Sequence, residues 1–297
     1  MTNARKLLDK AGENAFRALT VFAGLLLILM AAGLYAKSAP LLSMKPLRVL
    51  LFSSAWNPLR NEFGFLPFIA GTAWVVGVAV AIAVPISILT SIYLSEYAGR
   101  RVKALMHPLL DLLAGIPSVV YGVWGVLVIV PLVKNHVAPL FSTFSSGYSI
   151  LAGGLVLAIM IFPVIINICV EVLGMVPREV REASLSLGAT KWQTVKHVVV
   201  RRAMPGIVAA NVLGISRAFG ETMAVLMLAG NVARVPSSIL DPAYPLPALI
   251  ANNYGEMLSI PLYDSALFFA ALILFAVVLF FNIASRLVLN RLAKGIR

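Results

Sequence analysis

Residues 149–173 read SILAGGLVLAIMIFPVIINICVEVL and contain one charged residue, Glu171. At about 1.5 Å of rise per residue, an α-helix of this length crosses the roughly 30 Å of hydrocarbon in a bilayer. The apolar residues do not alternate with polar ones, which excludes a strand of an outer-membrane β-barrel. The stretch therefore predicts a transmembrane α-helix.

The same pattern recurs along the chain. We predict six transmembrane helices, at residues 18–36, 67–94, 105–133, 149–173, 205–231 and 264–287. The composition agrees, because 60% of the 297 residues are hydrophobic and 12% are charged, whereas a soluble domain is nearer half apolar and a quarter charged. The sequence excludes a soluble globular protein and predicts an all-α polytopic membrane protein.

Lysine and arginine are distributed unevenly between the loops. Loops on one side of the six spans, together with Arg286 at the adjoining end of the last span, carry 17 of the 24 Lys and Arg residues, and loops on the other side carry six. Since loops rich in Lys and Arg stay in the cytoplasm, we predict that both termini are cytoplasmic. The net charge of +12 reflects this asymmetry and contact with membrane lipid, and it does not predict binding of nucleic acid.

The first apolar run has two interpretations. It follows four basic residues and ends near small residues at 36–39, a pattern that also occurs in signal peptides. Its apolar stretch of about 17 residues exceeds the usual 7 to 15 of a signal peptide, which favours a retained anchor. The amino terminus is cytoplasmic under either interpretation.

We divide the chain into three parts. An anchor helix and external loop occupy 1–66, the transmembrane permease domain occupies 67–288 with a cytoplasmic loop at 174–204, and a cytoplasmic tail occupies 289–297. Cys169 is the single cysteine, and the three histidines show no ligand spacing. The sequence therefore predicts no disulfide, no metal site and no catalytic residues.

The cytoplasmic loop contains VPREVREASLSLGATKWQ at 176–193, which predicts two short helices. Pro177 suits the first position of the first helix, and Gly188 suits a left-handed C-terminal cap. Thr190 and Gln193 predict a capping box that opens the second helix. This helix pair either lies on anionic lipid headgroups as an amphipathic hairpin or presents its small residues to another protein.

A resemblance to a known family favours the second interpretation. Glu182, Ala183 and Ser184, followed by Gly188, resemble the EAA loop of ABC importer permeases, the helix pair that binds in a groove of the ATPase subunit. The resemblance implies that these four residues form the ATPase-docking surface and that the 177–200 helices couple the two subunits. It also implies the type I, MetI-like permease architecture.

Four further segments make the resemblance more specific. They are residues 63–72 (FGFLPFIAGT), 92–98 (IYLSEYA), 113–122 (LAGIPSVVYG) and 216–225 (SRAFGETMAV). Together they resemble the phosphate-specific ABC transporter permeases, and the last segment is similar to the PstC-type subunit rather than its PstA-type partner. The resemblance covers the chain from about residue 63 to residue 231.

Arg217 is the one Lys or Arg deep inside a predicted span. At about 1.5 Å per residue it lies ~18 Å or more from either end of that span, and Glu221 lies one helical turn further on. A guanidinium binds phosphate oxygens through two parallel hydrogen bonds, so Arg217 is the best candidate anion contact. The alternative is a purely structural ion pair with Glu221. The resemblance implies that both residues take part in transport.

The third predicted span contains Pro117, which removes a backbone donor and disfavours helical geometry at Ile116, so we predict a kink there. Ser118 and Tyr121, at i and i+3, are candidate hydroxyl donors to the substrate pathway. The alternative is a packing kink in which both hydroxyls bind the preceding turn.

The resemblance implies a function: the permease subunit of an ATP-driven inorganic phosphate importer in a bacterial inner membrane, forming half of the translocation pathway. It implies as partners a second, PstA-type permease, two ATPase subunits, and a periplasmic or lipid-anchored phosphate-binding protein. The chain contains no phosphate-binding loop of its own, so ATP and magnesium are expected on the ATPase. Two alternatives remain: a proton-coupled transporter in which Glu221 carries the proton, and a membrane scaffold or sensor.

Overall fold

The structure, a computed structural model, describes residues 3–141, 144–255 and 260–295. Within these ranges the chain is almost entirely helical. The α-helices are α1 (Asn3–Met44), α2 (Leu47–Phe52), α3 (Leu66–Ile92), α4 (Arg100–Gly115), α5 (Ser118–Leu140), α6 (Ile150–Gly174), α7 (Arg178–Ser186), α8 (Lys191–Gly220), α9 (Met223–Leu228), α10 (Leu246–Asn253) and α11 (Tyr263–Gly295). Two short strands, β1 (Trp56–Asn57) and β2 (Glu62–Phe63), pair antiparallel between α2 and α3.

Six of these helices are long and apolar enough to cross a membrane, as predicted. They cover Gly12–Met44, Leu66–Tyr97, Ser118–Leu140, Ile150–Gly174, Lys191–Gly220 and Tyr263–Ala284. The last helix continues to Gly295. The tail predicted at 289–297 therefore begins inside α11, and residues 296–297 lie outside the described ranges.

The third span differs from the predicted 105–133. The helix ends at Gly115, Ile116 and Pro117 are extended with ψ of 128° and 142°, and a new helix begins at Ser118. Pro117 has no N–H to continue the ladder, and its ring disfavours helical geometry at the residue before it. The predicted kink is thus a complete break, and α4 is a separate amphipathic helix.

The fifth span also differs from the predicted 205–231. It begins at Lys191, because the helix opened by Thr190 runs without interruption through Pro205. It ends at Gly220, because the backbone of Glu221 is extended with a ψ of 119°. The second short helix predicted in the 174–204 loop is therefore the first part of a long membrane-spanning helix.

Helix α6 lies at the centre of the bundle and packs against α3 and α8. Glycines permit the close approach: a Cβ on Gly154 would lie 2.6 Å from Val78, and a Cβ on Gly206 or Gly214 would overlap α6. The buried residues at these contacts form one continuous apolar cluster. Helix α6 contacts both α3 and α8 over most of its length. The position of a residue of α3 or α8 along α6 therefore gives its depth in the membrane.

A second core joins α1 and α11 near the hairpin. Trp56 packs edge-on against Phe65 and Phe68, with ring centroids 5.4 and 4.7 Å apart. Leu41 of α1 is fully buried in the same cluster. The predicted anchor helix is therefore packed into the bundle at its C-terminal end.

The loop between α9 and α10 is organised around Asp241. Its Oδ2 accepts hydrogen bonds from the backbone N–H of Ser237 at 2.9 Å, the Ser237 hydroxyl at 2.8 Å and the backbone N–H of Ser238 at 3.0 Å. Burial alone raises the pKa of this carboxyl. The hydrogen bonds and the charge of Arg234 outweigh burial, so its pKa lies below the ordinary value.

We expect this loop to open in acid. The pKa of Asp241 is lower in the folded loop than in an unfolded one, so the stabilisation is complete above about pH 4, the ordinary aspartate value, and is lost as the pH falls through the folded pKa. Limited proteolysis of residues 232–243 between pH 7 and pH 2 should show this change, and Asp241→Asn should already be cut readily at pH 7. Glu62→Gln, which changes an exposed carboxyl in strand β2, is the control. Wild-type protection that does not change with pH would contradict the expectation.

Candidate functional site

Two broken helices meet in the bundle. A Cβ on Gly122 of α5 would lie 2.6 Å from Met227 Sδ and 3.3 Å from the Cα of Ala224, both on α9. A Cβ on Gly125, one turn later, would lie 2.9 Å from Leu228. Later residues of α5 contact later residues of α9, so the two helices run parallel and their first residues lie near each other. The breaks at 116–117 and 221–222 therefore lie close to each other.

The depth of Arg217 follows from the register of α8 on α6. Gly214 packs against Ile165, and Gly206 packs against Val172. The two helices are thus antiparallel, and Arg217 lies level with about residue 162 of α6. That level is about 18 Å from each end of α6 at ~1.5 Å per residue.

Arg217 is therefore at mid-span although it belongs to the last turn of its helix. Interrupted helices at this depth are typical of transporter binding sites, because non-helical backbone inside a membrane must be buried in protein or line a water-filled cavity.

Arg217 and Glu221 form a long ion pair. The Arg217 Nε lies 3.5 Å from Glu221 Oε1, and the side chains are 39% and 15% exposed. Glu221 follows the end of the helix rather than lying on its next turn, because its backbone is extended. In the described part of the chain this is the only polar contact of the guanidinium, so its terminal NH₂ groups are open to a ligand.

The Glu221 side chain is mostly buried. It lines a small cavity together with Thr72 and Leu157 from the spans, Pro245 just before α10 and Pro247 in the first turn of α10. The carboxylate thus lies between the open side of Arg217 and the loop that precedes α10.

Ser118 and Tyr121 lie at the start of α5. Ser118 is the first residue of the helix and is half-buried. Tyr121 is buried, its hydroxyl donates to the carbonyl of Leu113 at 2.9 Å, and it lies within range of the charge of Arg217. In this conformation the Tyr121 hydroxyl bridges the break between α4 and α5, which agrees with the packing interpretation.

The structure adds polar residues that the sequence analysis did not select. Asn167 Nδ2 donates to Asp111 Oδ1 at 3.3 Å between α6 and α4. The Oδ1 atoms of Asn167 and Asn211 and the Oγ of Ser216 are buried and have no hydrogen-bond partner among the described residues. Polar side chains are rare inside membrane spans and usually face a pathway or a partner, and that rarity is the signal by which they are found.

The predicted docking residues lie on and after α7. Glu182 and Ala183 are exposed, and the hydroxyls of Ser184 and Thr194 are 2.9 Å apart, which joins α7 to α8. Gly188 has a φ of +84°, so the predicted left-handed cap is confirmed. Pro177 is the N-cap residue of α7, so it lies just before the predicted first helical position.

The predicted capping box that opens the next helix is also confirmed. The backbone N–H of Gln193 donates to Thr190 Oγ1 at 3.3 Å, and the backbone N–H of Thr190 donates to Gln193 Oε1 at 2.8 Å.

Comparison with known proteins places the chain in a family. The sequence profile of the binding-protein-dependent transport system inner membrane components matches residues 83–294. The chain is 34% identical to the phosphate transport system permease protein PstC of Haemophilus influenzae, over 99% of this chain and 98% of that protein. The chain belongs to the PstC-type permease family. It is also 37% identical to PstC of Xylella fastidiosa, over 82% of this chain and 79% of that protein.

Solved structures of ABC importers share the fold of this PstC-type permease. A chain from an inward-facing structure of the MetNI methionine transporter has a TM-score of 0.54 at 20% identity, over 84% of this chain and 98% of that chain. A chain from a bacterial alginate importer has a TM-score of 0.53 at 18% identity, over 93% and 98%. The predicted all-α, six-helix, MetI-like architecture is confirmed.

In this PstC-type permease a single helix joins the two predicted sites. Helix α8 begins directly after Thr190, beside the predicted docking residues, and ends three residues after Arg217. From Thr190 to Arg217 the distance along the helix is about 40 Å. A displacement of the docking end therefore moves the guanidinium without an intervening loop.

Proposed function

We propose that this chain is the permease subunit of an ATP-driven importer of inorganic phosphate, in which it forms half of the translocation pathway. The observation that carries the proposal is an arginine at mid-span, next to a broken helix, with its terminal NH₂ groups open. Phosphate as the substrate is supported by the relatives, which are named phosphate transport system permeases. A guanidinium remains charged at physiological pH and fits two phosphate oxygens at once.

A second permease is needed to complete this site. Arg217 is 39% exposed on the surface of the single chain, and a charged side chain at mid-membrane faces protein or water rather than lipid. We propose that a homologous, PstA-type permease covers this side, so that the anion passes between the two subunits.

The energy would come from two separate ATPase subunits that bind ATP and magnesium. Leu187 is 89% exposed and Trp192 is 54% exposed beside Glu182 and Ala183, which supports contact with a partner protein at this surface. The distribution of Lys and Arg supports a cytoplasmic position for this surface and for both termini. A periplasmic or lipid-anchored binding protein would deliver phosphate on the other side.

Phosphate uptake in proteoliposomes tests the proposal. Vesicles that contain this chain, the second permease and the ATPase should accumulate labelled phosphate only with ATP and the binding protein. Uptake by this chain alone under a proton gradient would favour the proton-coupled alternative, and uptake under no condition would favour a scaffold or sensor.

Gly188→Val should uncouple ATP hydrolysis from uptake. Valine is strained at a φ of +84°, so the turn between α7 and α8 would change shape, and the docking surface would change with it. We expect phosphate imported per ATP to fall about tenfold, on the scale of a strain of 1–3 kcal/mol. Gly188→Asn is the matched control, because asparagine tolerates the left-handed conformation. Normal coupling in Gly188→Val would contradict the role of this cap.

A further inference from the structure

An ion pair joins the cytoplasmic end of the second span to the docking helix α7. The guanidinium of Arg181 donates from Nη2 to Glu96 Oε1 at 2.8 Å and from Nε to Glu96 Oε2 at 3.3 Å. The two side chains are 19% and 10% exposed. Paired hydrogen bonds between a guanidinium and a carboxylate, shielded from water, form a strong and directional contact.

The same guanidinium also binds the end of the fourth span. Its Nη2 donates to the carbonyl of Leu173 at 2.8 Å, and its Nη1 donates to the carbonyl of Val176. Carbonyls at a helix C-terminus have no partner within the helix. Arg181 therefore connects three elements: the end of the second span, the end of the fourth span, and α7.

Glu96 lies in a π-helical turn, Tyr93–Tyr97, at the end of the second span. Two more contacts hold this turn. Lys191, the first residue of α8, lies over the Tyr97 ring with Nζ 4.5 Å from its centroid, and Lys103 donates to the carbonyl of Ser95 at 2.9 Å. Helices α7 and α8 both contact the turn Tyr93–Tyr97, α7 through Arg181 and α8 through Lys191.

We propose that Arg181 and Glu96 are positioning residues for energy coupling, an inference that rests on the proposed function. The side chain of Arg181 points into the permease, whereas its neighbours Glu182 and Ala183 are exposed to a partner. The pair makes α7 move as one body with the second and fourth spans when the ATPase moves. Without it, α7 would tilt relative to the spans, and ATP would be hydrolysed with little movement of the spans.

The test measures phosphate imported per ATP hydrolysed in the reconstituted complex, together with the amount of assembled complex. We expect Glu96→Gln and Arg181→Gln each to lower this ratio about tenfold, on the scale of a lost charge-assisted hydrogen bond. The double variant should be no worse than the more severe single variant, because both remove the same contact. Glu179→Gln is the matched control, since Glu179 lies exposed on the same helix and forms no ion pair in the described residues.

The possible outcomes separate this inference from the proposed function. A wild-type complex that imports no phosphate with ATP would contradict both. A coupled wild-type complex, with variants that lose only the amount of assembled protein and keep the ratio, would show that the pair is merely structural. Additive losses in the double variant would show that the two residues act independently, which overturns the inference.

Discussion

Arg217→Lys is expected to lose most phosphate transport although the charge is kept. An ammonium is a point charge, and it cannot reproduce the two parallel hydrogen bonds that a planar guanidinium makes to an anion. The open terminal NH₂ groups of Arg217 at mid-span are the groups that the substitution removes. We expect initial uptake to fall about tenfold or more, and Arg217→Gln to be worse, since it also removes the charge.

Uptake must be expressed per molecule of inserted protein. Arg202→Lys is the matched control, because Arg202 lies exposed on the same helix about four turns before Arg217. Wild-type uptake by Arg217→Lys would mean that the residue supplies only a charge, or that its role is structural.

Glu221→Gln is expected to separate phosphate movement from ATP hydrolysis. A carboxylate repels phosphate, and we infer that Glu221 pairs with Arg217 in the empty site and releases it when an anion enters. The 3.5 Å distance between Nε and Oε1 supports a contact that is weak enough to exchange. Without the carboxylate the arginine stays free, so anions should leak through the complex without ATP while net uptake per ATP falls several-fold.

A purely structural ion pair makes a different prediction. Losing one partner would leave an uncompensated charge and would lower the amount of folded protein. Flux and membrane-inserted protein should therefore be measured together in Glu221→Gln and in the double variant with Arg217→Gln, with Glu62→Gln as the control. Normal flux per inserted molecule in both variants would contradict the inference that phosphate replaces Glu221 as the partner of Arg217.

The sequence predicted the helices better than their ends. Apolar runs identify six spans because the bilayer sets a minimum length, but such runs do not show where a helix stops. From the sequence, Pro117 predicts only a kink, whereas the helix breaks there completely. Helix α8 ends before Glu221 with no proline at all. Pro205 interrupts nothing, because a helix supported by neighbours tolerates a missing N–H.

The candidate site was predictable only where a residue is unusual on its own. An arginine within an apolar run stands out by its cost, so Arg217 was found from the sequence alone. The Arg181 and Glu96 contact joins residues 85 positions apart, and each lies in a charged segment where many pairings are possible. Asn167 and Asn211 are polar residues inside spans, which is a weaker signal than a charge, and their buried Oδ1 atoms without a partner among the described residues are what make them notable.

In the proposed importer, the unbroken helix from the docking surface to Arg217 would act as a lever. At Gly206 the missing side chain lets Val172 of the central helix approach the backbone of α8, and this contact would serve as the fulcrum. Arg217 lies about 17 Å beyond it, so a tilt of ~10° would swing the guanidinium by about 3 Å. That swing is as long as a hydrogen bond, so in the proposed importer a small rotation at the docking surface would be enough to release an anion from Arg217.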